Sequence, residues 1–152
     1  MRAVVTRVSS ASVAIEGRIV GRIGRGFLVL LGVGPRDTEA VVDRLAEKVC
    51  SLRVFTDAQD RMNLGLEDVG GGVLVVSQFT LYGDCKKGRR PSFIEAAQPD
   101  LAIPLYEAFL RRCAELGFPP QHGEFGASMQ VSSVNDGPVT LILDTEAWGW
   151  NG

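Results

Sequence analysis

Gly71-Gly72-Val73-Leu74-Val75-Val76-Ser77-Gln78-Phe79-Thr80-Leu81 is the stretch of sequence that decides the fold. Its first half is an unbroken apolar run, which is typical of a β-strand buried on both faces. Ser77, Gln78 and Thr80 then stand where a core strand carries Val or Ile. Burying hydroxyl and amide groups costs free energy unless they find hydrogen-bond partners. The strand therefore either ends at the mouth of a pocket or emerges into solvent.

The bulk composition predicts one ordinary globular domain. At 152 residues the chain can bury about two-thirds of its unfolded surface in a single core. It is 45% hydrophobic and 22% charged, and its 18 glycines indicate many turns. The formal net charge of −2 gives no global basic field, so a nucleic-acid partner would have to bind a local patch.

The cysteines and the amino-terminal sequence favour a cytoplasmic protein. Cys50, Cys85 and Cys113 are odd in number and contain no CxxC pair, so neither a metal site nor a disulfide framework is expected. No apolar stretch of a secretory signal follows Met1. The longest apolar run, residues 27–31, is too short to cross a membrane.

Two helices and about eight strands are predicted outside the opening stretch. One helix begins at a cap at Asp37 or Thr38 and ends near Cys50, and another spans residues 99–116. The first has an apolar face formed by Val41, Val42, Leu45, Ala46 and Val49. Short β-branched runs predict strands over residues 2–8, 12–15, 18–23, 27–31, 52–55, 123–125, 129–134 and 139–143. Helices and strands do not alternate regularly, which favours a mixed α/β sheet with both helices on one face.

Three features resemble parts of common catalytic sites, but none of them is supported as a catalytic site by the residues around it. The glycines of residues 21–26 and of Gly32-Val33-Gly34 fall short of GxGxxG and mark turns, so no nucleotide cofactor is expected. His122 is the one histidine and lies in a Pro/Gly-rich loop, which favours a surface position. Cys85 neighbours two lysines, and nothing else supports it as a nucleophile. No cluster with metal-ligand spacing is present, so we expect no metal.

The polar end of the opening stretch suits ester hydrolysis. If the strand continues through Leu81, Gln78 and Thr80 project together while Phe79 projects to the opposite face. Backbone N–H groups beyond the last ladder hydrogen bond are free to meet a developing oxyanion in acyl transfer. A hydroxyl, an amide and free N–H donors would then share one site.

Two further segments carry candidate binding groups. Lys86, Lys87, Arg89 and Arg90 place four of the 16 basic residues within five positions, which makes this loop a phosphate-binding candidate beside the polar strand end. The alternative for the loop is a solvated surface. Asn135-Asp136-Gly137-Pro138-Val139-Thr140 predicts a turn that opens a strand.

Together these motifs resemble the D-aminoacyl-tRNA deacylase family. The family's Ser-Gln-Phe-Thr-Leu motif stands intact at residues 77–81, and its Asn-x-Gly-Pro-x-Thr motif at residues 135–140. The segments 2–8, 62–64, 90–93 and 123–129 are also similar to the family. The similarity spans residues 1–145, which are expected to form the deacylase domain, and leaves residues 146–152 as a tail. It implies a barrel-like, mostly antiparallel sheet with two helices packed on one face.

The resemblance also implies a site built across a homodimer. The Gly137–Pro138 bond would be cis and would enter the partner subunit's pocket, where the carbonyls of both residues crowd an L side chain. Arg7 would brace this dipeptide, and Phe125 and Met129 would line the site for the terminal adenosine. Ser77 would contact the substrate, and the catalytic groups would be Gln78, Phe79 and Thr80.

The implied reaction is hydrolysis of the ester between a D-amino acid, or glycine, and the tRNA 3′ ribose, without a cofactor. Thr80 has no base beside it in the sequence, so water assisted by the RNA 2′-hydroxyl is the better nucleophile, with the Phe79 and Thr80 N–H groups near the oxyanion. Two alternatives are a nucleic-acid-binding module without catalysis and a serine-type esterase. The absent Gly-x-Ser-x-Gly elbow argues against the esterase.

Overall fold

The computed structural model describes residues 1–150 of the chain. Eight strands, three α-helices and one 3-10 helix follow in this order: β1 (Arg2–Ile15), β2 (Arg18–Ile23), β3 (Gly26–Gly32), α1 (Glu39–Ser51), β4 (Phe55–Thr56), β5 (Met62–Leu64), α2 (Leu66–Val69), β6 (Gly72–Ser77), the 3-10 helix (Phe79–Tyr82), α3 (Pro99–Glu115), β7 (Gln121–His122) and β8 (Gln130–Asp144).

The long strand β1 organises a mixed, mostly antiparallel sheet. Along one edge it pairs first with β3 and then with β2, and along the other edge it pairs with β8. Strand β6 joins β3 in parallel, and β7 joins β6, which gives the order β2-β1-β3-β6-β7. The two ends of this order approach each other, because a Cβ on Gly21 would lie 3.0 Å from the carbonyl oxygen of His122. The sheet is therefore barrel-like and nearly closed.

Side chains that alternate between the two faces of β3 and β6 contribute to two separate apolar cores. In β6, Val73 and Val75 join the cluster that contains the helices, while Leu74 and Val76 join a second cluster made of sheet residues. Because successive side chains project to opposite faces, a strand that borders two cores must be apolar throughout. The unbroken run that opens β6 is explained in this way.

Helices α1 and α3 cover one face of the sheet, as predicted. The Thr38 hydroxyl accepts a hydrogen bond from the Val41 N–H at 3.4 Å, which caps α1 at its predicted start. The buried side of α1 is the predicted apolar face, and α3 buries Phe109 against it. The prediction of a mixed α/β fold with two helices on one face is confirmed. The one-turn helix α2 was missed because the segment around it is turn-rich.

Several predicted strand boundaries are wrong. Residues 2–8 and 12–15 belong to one continuous strand, β1. Its first half pairs with β3 and its second half pairs with β2. Residues 123–125 are not a strand, and the short strand β7 precedes them. Residues 52–54 are a loop, and pairing with β5 begins only at Phe55. The segments 129–134 and 139–143 are parts of the single strand β8.

Residues beyond the predicted domain boundary fold back on α1. Thr145, the last residue inside the boundary, is fully buried, and beyond it the Arg44 guanidinium of α1 lies 4.0 Å from the centroid of the Trp150 ring. The Trp148 and Trp150 rings meet edge to face at 5.1 Å. The division into a domain of residues 1–145 and a tail stays a prediction, and Asn151 and Gly152 lie outside the described residues.

Candidate active site

A cavity of about 220 Å³ opens where β6 ends. One wall comes from the end of β6 and the start of the 3-10 helix, and the other from the segment that connects β7 to β8. The lining residues are Val76, Ser77, Gln78, Phe79, Phe125, Gly126, Ala127, Met129 and Val131. The structure thus brings five of the predicted site residues together: Ser77, Gln78, Phe79, Phe125 and Met129. Two segments that are far apart in sequence, residues 76–79 and 125–131, form one concave surface.

The predicted continuation of the strand through Leu81 is wrong. The last ladder hydrogen bond runs from the Gln78 N–H to the Leu31 carbonyl at 2.8 Å, and β3 itself ends one residue later. Without a neighbouring strand the chain turns into the 3-10 helix. Gln78 and Thr80 therefore do not alternate with Phe79 across a sheet. The first N–H groups of a helix have no intrahelical acceptor, which leaves those of Phe79 and Thr80 free for a ligand.

The Thr80 side chain lies beside the cavity rather than in its lining. Its hydroxyl is hydrogen-bonded to the Gln78 side-chain amide. An amide has no basic group that could take up the hydroxyl proton. The hydrogen-bond partner of the Thr80 hydroxyl therefore cannot act as its general base.

The Asn135–Thr140 motif forms a protrusion within β8 rather than a turn between two strands. On β1, Thr6 pairs with Thr140 and Val8 pairs with Asn135, so the residues between them bulge out of the ladder. The Asn135 side chain closes this bulge, since it bonds the Val139 N–H and the Thr140 hydroxyl, both at 2.9 Å.

Gly137 and Pro138 are exposed at the tip of this bulge and are joined by a cis peptide bond. Gly137 has φ +133°, a conformation that L side chains rarely adopt. Neither residue lines the cavity of its own chain.

Arg7 supports the bulge from below. The residue is 8% exposed, and its side chain donates hydrogen bonds to the carbonyl of Asp136 at 2.9 Å and to the carbonyl of Val54 at 2.6 Å. The Asp136 carboxylate lies 3.7 Å from the same guanidinium. A Cβ on Gly137 would stand 2.7 Å from Arg7 Nη2, so the residue must be glycine for the two groups to pack this closely.

The basic loop is exposed and closely linked to the cavity. Asp84 and Ser92 close the loop with two backbone hydrogen bonds of 2.7 and 2.9 Å. Beyond the closure, the Phe93 ring packs edge to face against the Phe79 ring at 5.2 Å. Lys86, Lys87, Arg89 and Arg90 lie in the exposed part of the loop.

The other candidate nucleophiles and the metal-ligating residue types do not converge on the site. His122 is exposed on β7, with its Nδ1 atom 2.6 Å from the Gly123 carbonyl oxygen, and Cys85 is exposed in the basic loop. Within residues 1–150, no three His, Cys, Asp or Glu side chains cluster as a metal site would require. In the same range, no helix is both long and apolar enough to cross a bilayer.

Some cavity residues escaped prediction. Gly126 and Ala127 are small residues between Phe125 and Met129, and only the similarity of that segment to the family pointed to them. Tyr106 of α3 supports the Phe125 ring, with centroids 5.8 Å apart. Burial raises the pKa of the Tyr106 hydroxyl to about 12, so it remains a neutral donor toward the Val75 carbonyl. Side-chain chemistry alone gave no signal for these positions.

Comparison with proteins of similar sequence and fold identifies the family. The family model described as D-Tyr-tRNA(Tyr) deacylase matches residues 4–144. A D-aminoacyl-tRNA deacylase of Lacticaseibacillus casei is 60% identical over 147 residues, which cover 97% of this chain and 99% of the relative. A D-aminoacyl-tRNA deacylase of Roseiflexus castenholzii is 58% identical over 145 residues, with 95% and 92% covered.

Two solved structures share the fold of this chain. A structure described as c-Myc DNA Unwinding Element Binding Protein superposes with a TM-score of 0.89 at 39% identity, and covers 95% of this chain and 98% of its own. A probable eukaryotic D-amino acid tRNA deacylase, at 18% identity and a TM-score of 0.80, covers 93% and 97% and shares the fold. The chain therefore belongs to the D-Tyr-tRNA(Tyr) deacylase family.

Proposed function

We propose that this protein hydrolyses the ester bond between a D-amino acid and the 3′ ribose of tRNA. The observation that carries the proposal is the cavity at the end of β6, where the Ser77–Leu81 motif meets the segment of Phe125 and Met129. Relatives of nearly the same length that are 55–60% identical bear the name of this activity. Because aminoacyl-tRNA is the substrate of translation, the reaction takes place in the cytoplasm.

The nucleophile in this proposal is water. Its oxygen attacks the ester carbonyl, the bond to the ribose 3′ oxygen breaks, and the neighbouring 2′-hydroxyl assists the proton transfer to that leaving oxygen. The free N–H groups of Phe79 and Thr80 stabilise the developing oxyanion, a role worth about 3–4 kcal/mol in known acyl-transfer sites. Phe125 and Met129 hold the terminal adenosine, and Ser77 contacts the aminoacyl group.

Thr80 acts through its backbone and not as a covalent nucleophile. The Gln78 side-chain amide donates a hydrogen bond to the Thr80 hydroxyl and supplies no base. An acyl-enzyme on Thr80 would also need a second hydrolysis at the same position. The intrinsically labile ester instead gains most of its rate from being positioned against water and the oxyanion donors.

Chirality is read by a second copy of the chain. Gly137 and Pro138 do not line the cavity of their own chain, and in a homodimer the bulge enters the partner's cavity. There the two main-chain carbonyls crowd an L side chain and leave room for a D side chain or for the hydrogen of glycine. The bracing of the bulge by Arg7 supports this role, because steric rejection requires a rigid wall.

Exposed surface on β8 supports the dimer. This strand pairs with β1 along one edge, and among residues 1–150 no strand pairs with its other edge. Val134 beside the bulge is 56% exposed. A long edge strand with exposed apolar residues invites pairing with another chain.

The basic loop binds the tRNA backbone. Lys86, Lys87, Arg89 and Arg90 contribute four exposed positive charges close to Phe79, where the acceptor end would enter. Contacts to phosphates position a nucleic acid without reading its sequence. The loop therefore contributes affinity for every tRNA and no selection among amino acids.

Turnover of matched substrates tests the activity. We expect purified protein to release the amino acid from D-tyrosyl-tRNA and to leave L-tyrosyl-tRNA intact under the same conditions. A nucleic-acid-binding module, the alternative that the name of one structural neighbour supports, predicts salt-dependent DNA binding and no turnover of either ester. Equal turnover of both enantiomers would contradict chiral selection while retaining an esterase.

Complementation between an inactive variant and an unselective variant tests the cross-subunit site. Ala127→Trp fills the cavity, and Gly137→Arg disrupts the bulge. A heterodimer of the two has one site in which both cavity and bulge are native. Co-expression in equal amounts should therefore restore selective activity at about a quarter of all sites, because half of randomly formed dimers are mixed. Absence of any recovery in a purified mixed dimer would contradict the exchange.

A further inference from the structure

The 3-10 helix that presents the Phe79 and Thr80 N–H groups has little stability of its own. It spans four residues, and so short a helix cannot form without contacts from the rest of the protein. Its amino end continues from β6 through the hydrogen bond of Gln78 to Leu31. Its carboxyl end is joined to the exposed basic loop and must be held by another element.

Arg2 holds that carboxyl end by two contacts and is itself fixed by a third, to β8. Its Nη1 atom donates to the Leu81 carbonyl at 2.8 Å, and its Nε atom donates to Asp144 Oδ2 at 3.2 Å. The guanidinium carbon lies over the Tyr82 ring, 4.5 Å from the centroid. One side chain thus joins the start of β1, the end of β8 and the last turn of the 3-10 helix. A planar guanidinium can make all three contacts at once, and an ammonium cannot.

The Tyr82 ring is seated on the Gly32-Val33-Gly34 segment. A Cβ on Gly34 would lie 2.9 Å from the Tyr82 hydroxyl oxygen, and a Cβ on Gly32 would lie 3.2 Å from the ring. The two glycines therefore let the ring approach the backbone. Tyr82 is 3% exposed, and within the described residues its hydroxyl has no hydrogen-bond partner. Burial, followed by the nearby Asp37 carboxylate, raises the pKa of Tyr82. The ring thus supports Arg2 by its face rather than by its hydroxyl.

We propose that Arg2 is a positioning residue for deacylation: its contacts with Leu81, Asp144 and Tyr82 orient the 3-10 helix so that the Phe79 and Thr80 N–H groups point at the oxyanion. This inference rests on the proposed function and deepens it. Arg2 does not line the cavity, so it does not contribute to binding the amino acid or the adenosine. Its loss acts on the transition state, where the two N–H groups are needed.

Kinetics of Arg2 variants test this role against a purely structural one. We expect Arg2→Met to lower kcat by about 10- to 100-fold with KM nearly unchanged, because a small misplacement of catalytic groups has effects of that size. Arg2→Lys, which keeps the charge without the planar fork, should lose nearly as much. The matched control is Arg36→Met, which breaks the exposed Arg36–Glu146 ion pair of 3.3 Å and should leave kcat unchanged.

Two readouts separate positioning from stability. Added guanidinium ion should partly restore kcat to Arg2→Met and leave the control unaffected. Amide hydrogen exchange should become faster in Arg2→Met at Leu81 and Gly83, whose N–H groups donate to the carbonyls of Gln78 and Thr80 at 3.2 and 2.9 Å, with the exchange of β6 unchanged. Wild-type kcat in a folded Arg2→Met or Arg2→Lys would overturn the proposal, as would a loss of activity that follows unfolding alone. A wild-type protein without turnover would instead contradict the proposed function, and the exchange measurement would still test the contacts of Arg2.

Discussion

Strands β6 and β8 each carry one of the two family motifs, and they differ in almost every physical respect. The interior of β6 is buried on both faces, and its motif begins where the pairing of this strand with β3 ends. Most of β8 is exposed, and its motif is a bulge inside a strand that, within residues 1–150, pairs on one side only. The groups proposed to break the ester thus follow directly on a buried strand of the same chain. The groups proposed to reject L substrates stand on a surface that is complete only beside a second chain.

This difference implies that catalysis and chiral selection can be perturbed separately. Changes at the end of β6 should alter the rate for every substrate. Changes at the β8 bulge should alter the ratio between D and L substrates. Sequence and structure together predict four effects, of which the largest is at the bulge and the smallest at the Thr80 side chain.

The largest effect is expected at the tip of the bulge. In Gly137→Ala the new Cβ would meet Arg7 Nη2 at 2.7 Å and Val139 Cγ2 at 2.8 Å, in a backbone conformation that costs about 1–3 kcal/mol for an L residue. The carbonyls must then shift, and we expect the ratio of D to L turnover to fall by about 100-fold. Turnover of D-alanyl- and L-alanyl-tRNA measures this ratio.

Gly117→Ala is the control for this substitution. Gly117 also has a positive φ, +97°, and nothing lies within 4 Å of its Cβ position. The ratio should therefore stay at the wild-type value while the backbone penalty is similar. An unchanged ratio in folded, dimeric Gly137→Ala would contradict the proposed role of the bulge.

Removal of the support beneath the bulge should have the next largest effect. Arg7→Met leaves the buried carbonyl of Val54 without its donor, which should lower the free energy of unfolding by about 2 kcal/mol. The bulge also becomes mobile, so the D-to-L ratio should fall by about 10-fold, less than in Gly137→Ala. Denaturant unfolding and the same two substrates check both effects. Loss of stability with a fully preserved ratio would show that Arg7 serves the fold alone.

Neutralising the basic loop should change affinity and not selection. Replacing Lys86, Lys87, Arg89 and Arg90 by Gln should weaken tRNA binding by about 10-fold at physiological salt and flatten its salt dependence. The D-to-L ratio should remain as in the wild type. Titration of uncharged tRNA at several salt concentrations measures the slope. Wild-type affinity in this variant would mean that the loop is an ordinary solvated surface.

The smallest effect is expected at Thr80. Thr80→Ala keeps the backbone N–H and removes the hydroxyl bonded to Gln78, so kcat should fall by less than about 10-fold. A covalent nucleophile would instead cost many orders of magnitude. Single-turnover kinetics together with mass spectrometry for an acyl-enzyme distinguish the two. A trapped acyl group on wild-type Thr80, with an inactive folded Thr80→Ala, would rule out water as the nucleophile.

The sequence predicts what local patterns determine and misses what distant neighbours determine. The cap at Thr38 and the apolar face of α1 lie within one segment, and both were predicted correctly. The end of β6 depends on where β3 ends, at Gly32, and no pattern in residues 77–81 contains that information. In the same way, the continuity of β8 through Asn135 follows from its pairing with Val8 of β1.

The candidate site shows the same division. The polar residues Ser77 and Gln78 stood out because they interrupt an apolar run. Phe125 and Met129 came from the family resemblance, since an aromatic and a thioether side chain in a loop carry no chemical signal. Arg2 gave no signal either, because its three contacts join segments about 80 and 140 residues away along the chain.

Turnover of D-alanyl-, L-alanyl- and glycyl-tRNA under one condition tests the central claim most directly. If Gly137 and Pro138 act by excluding an L side chain, glycyl-tRNA has nothing to exclude and should be hydrolysed appreciably, while L-alanyl-tRNA resists in spite of one extra methyl group. Steric exclusion can exceed the roughly 1–3 kcal/mol that gripping such a group provides. D-alanyl- and glycyl-tRNA should therefore both turn over. Glycyl-tRNA as inert as L-alanyl-tRNA would contradict the account, since it would mean that the pocket grips the D side chain.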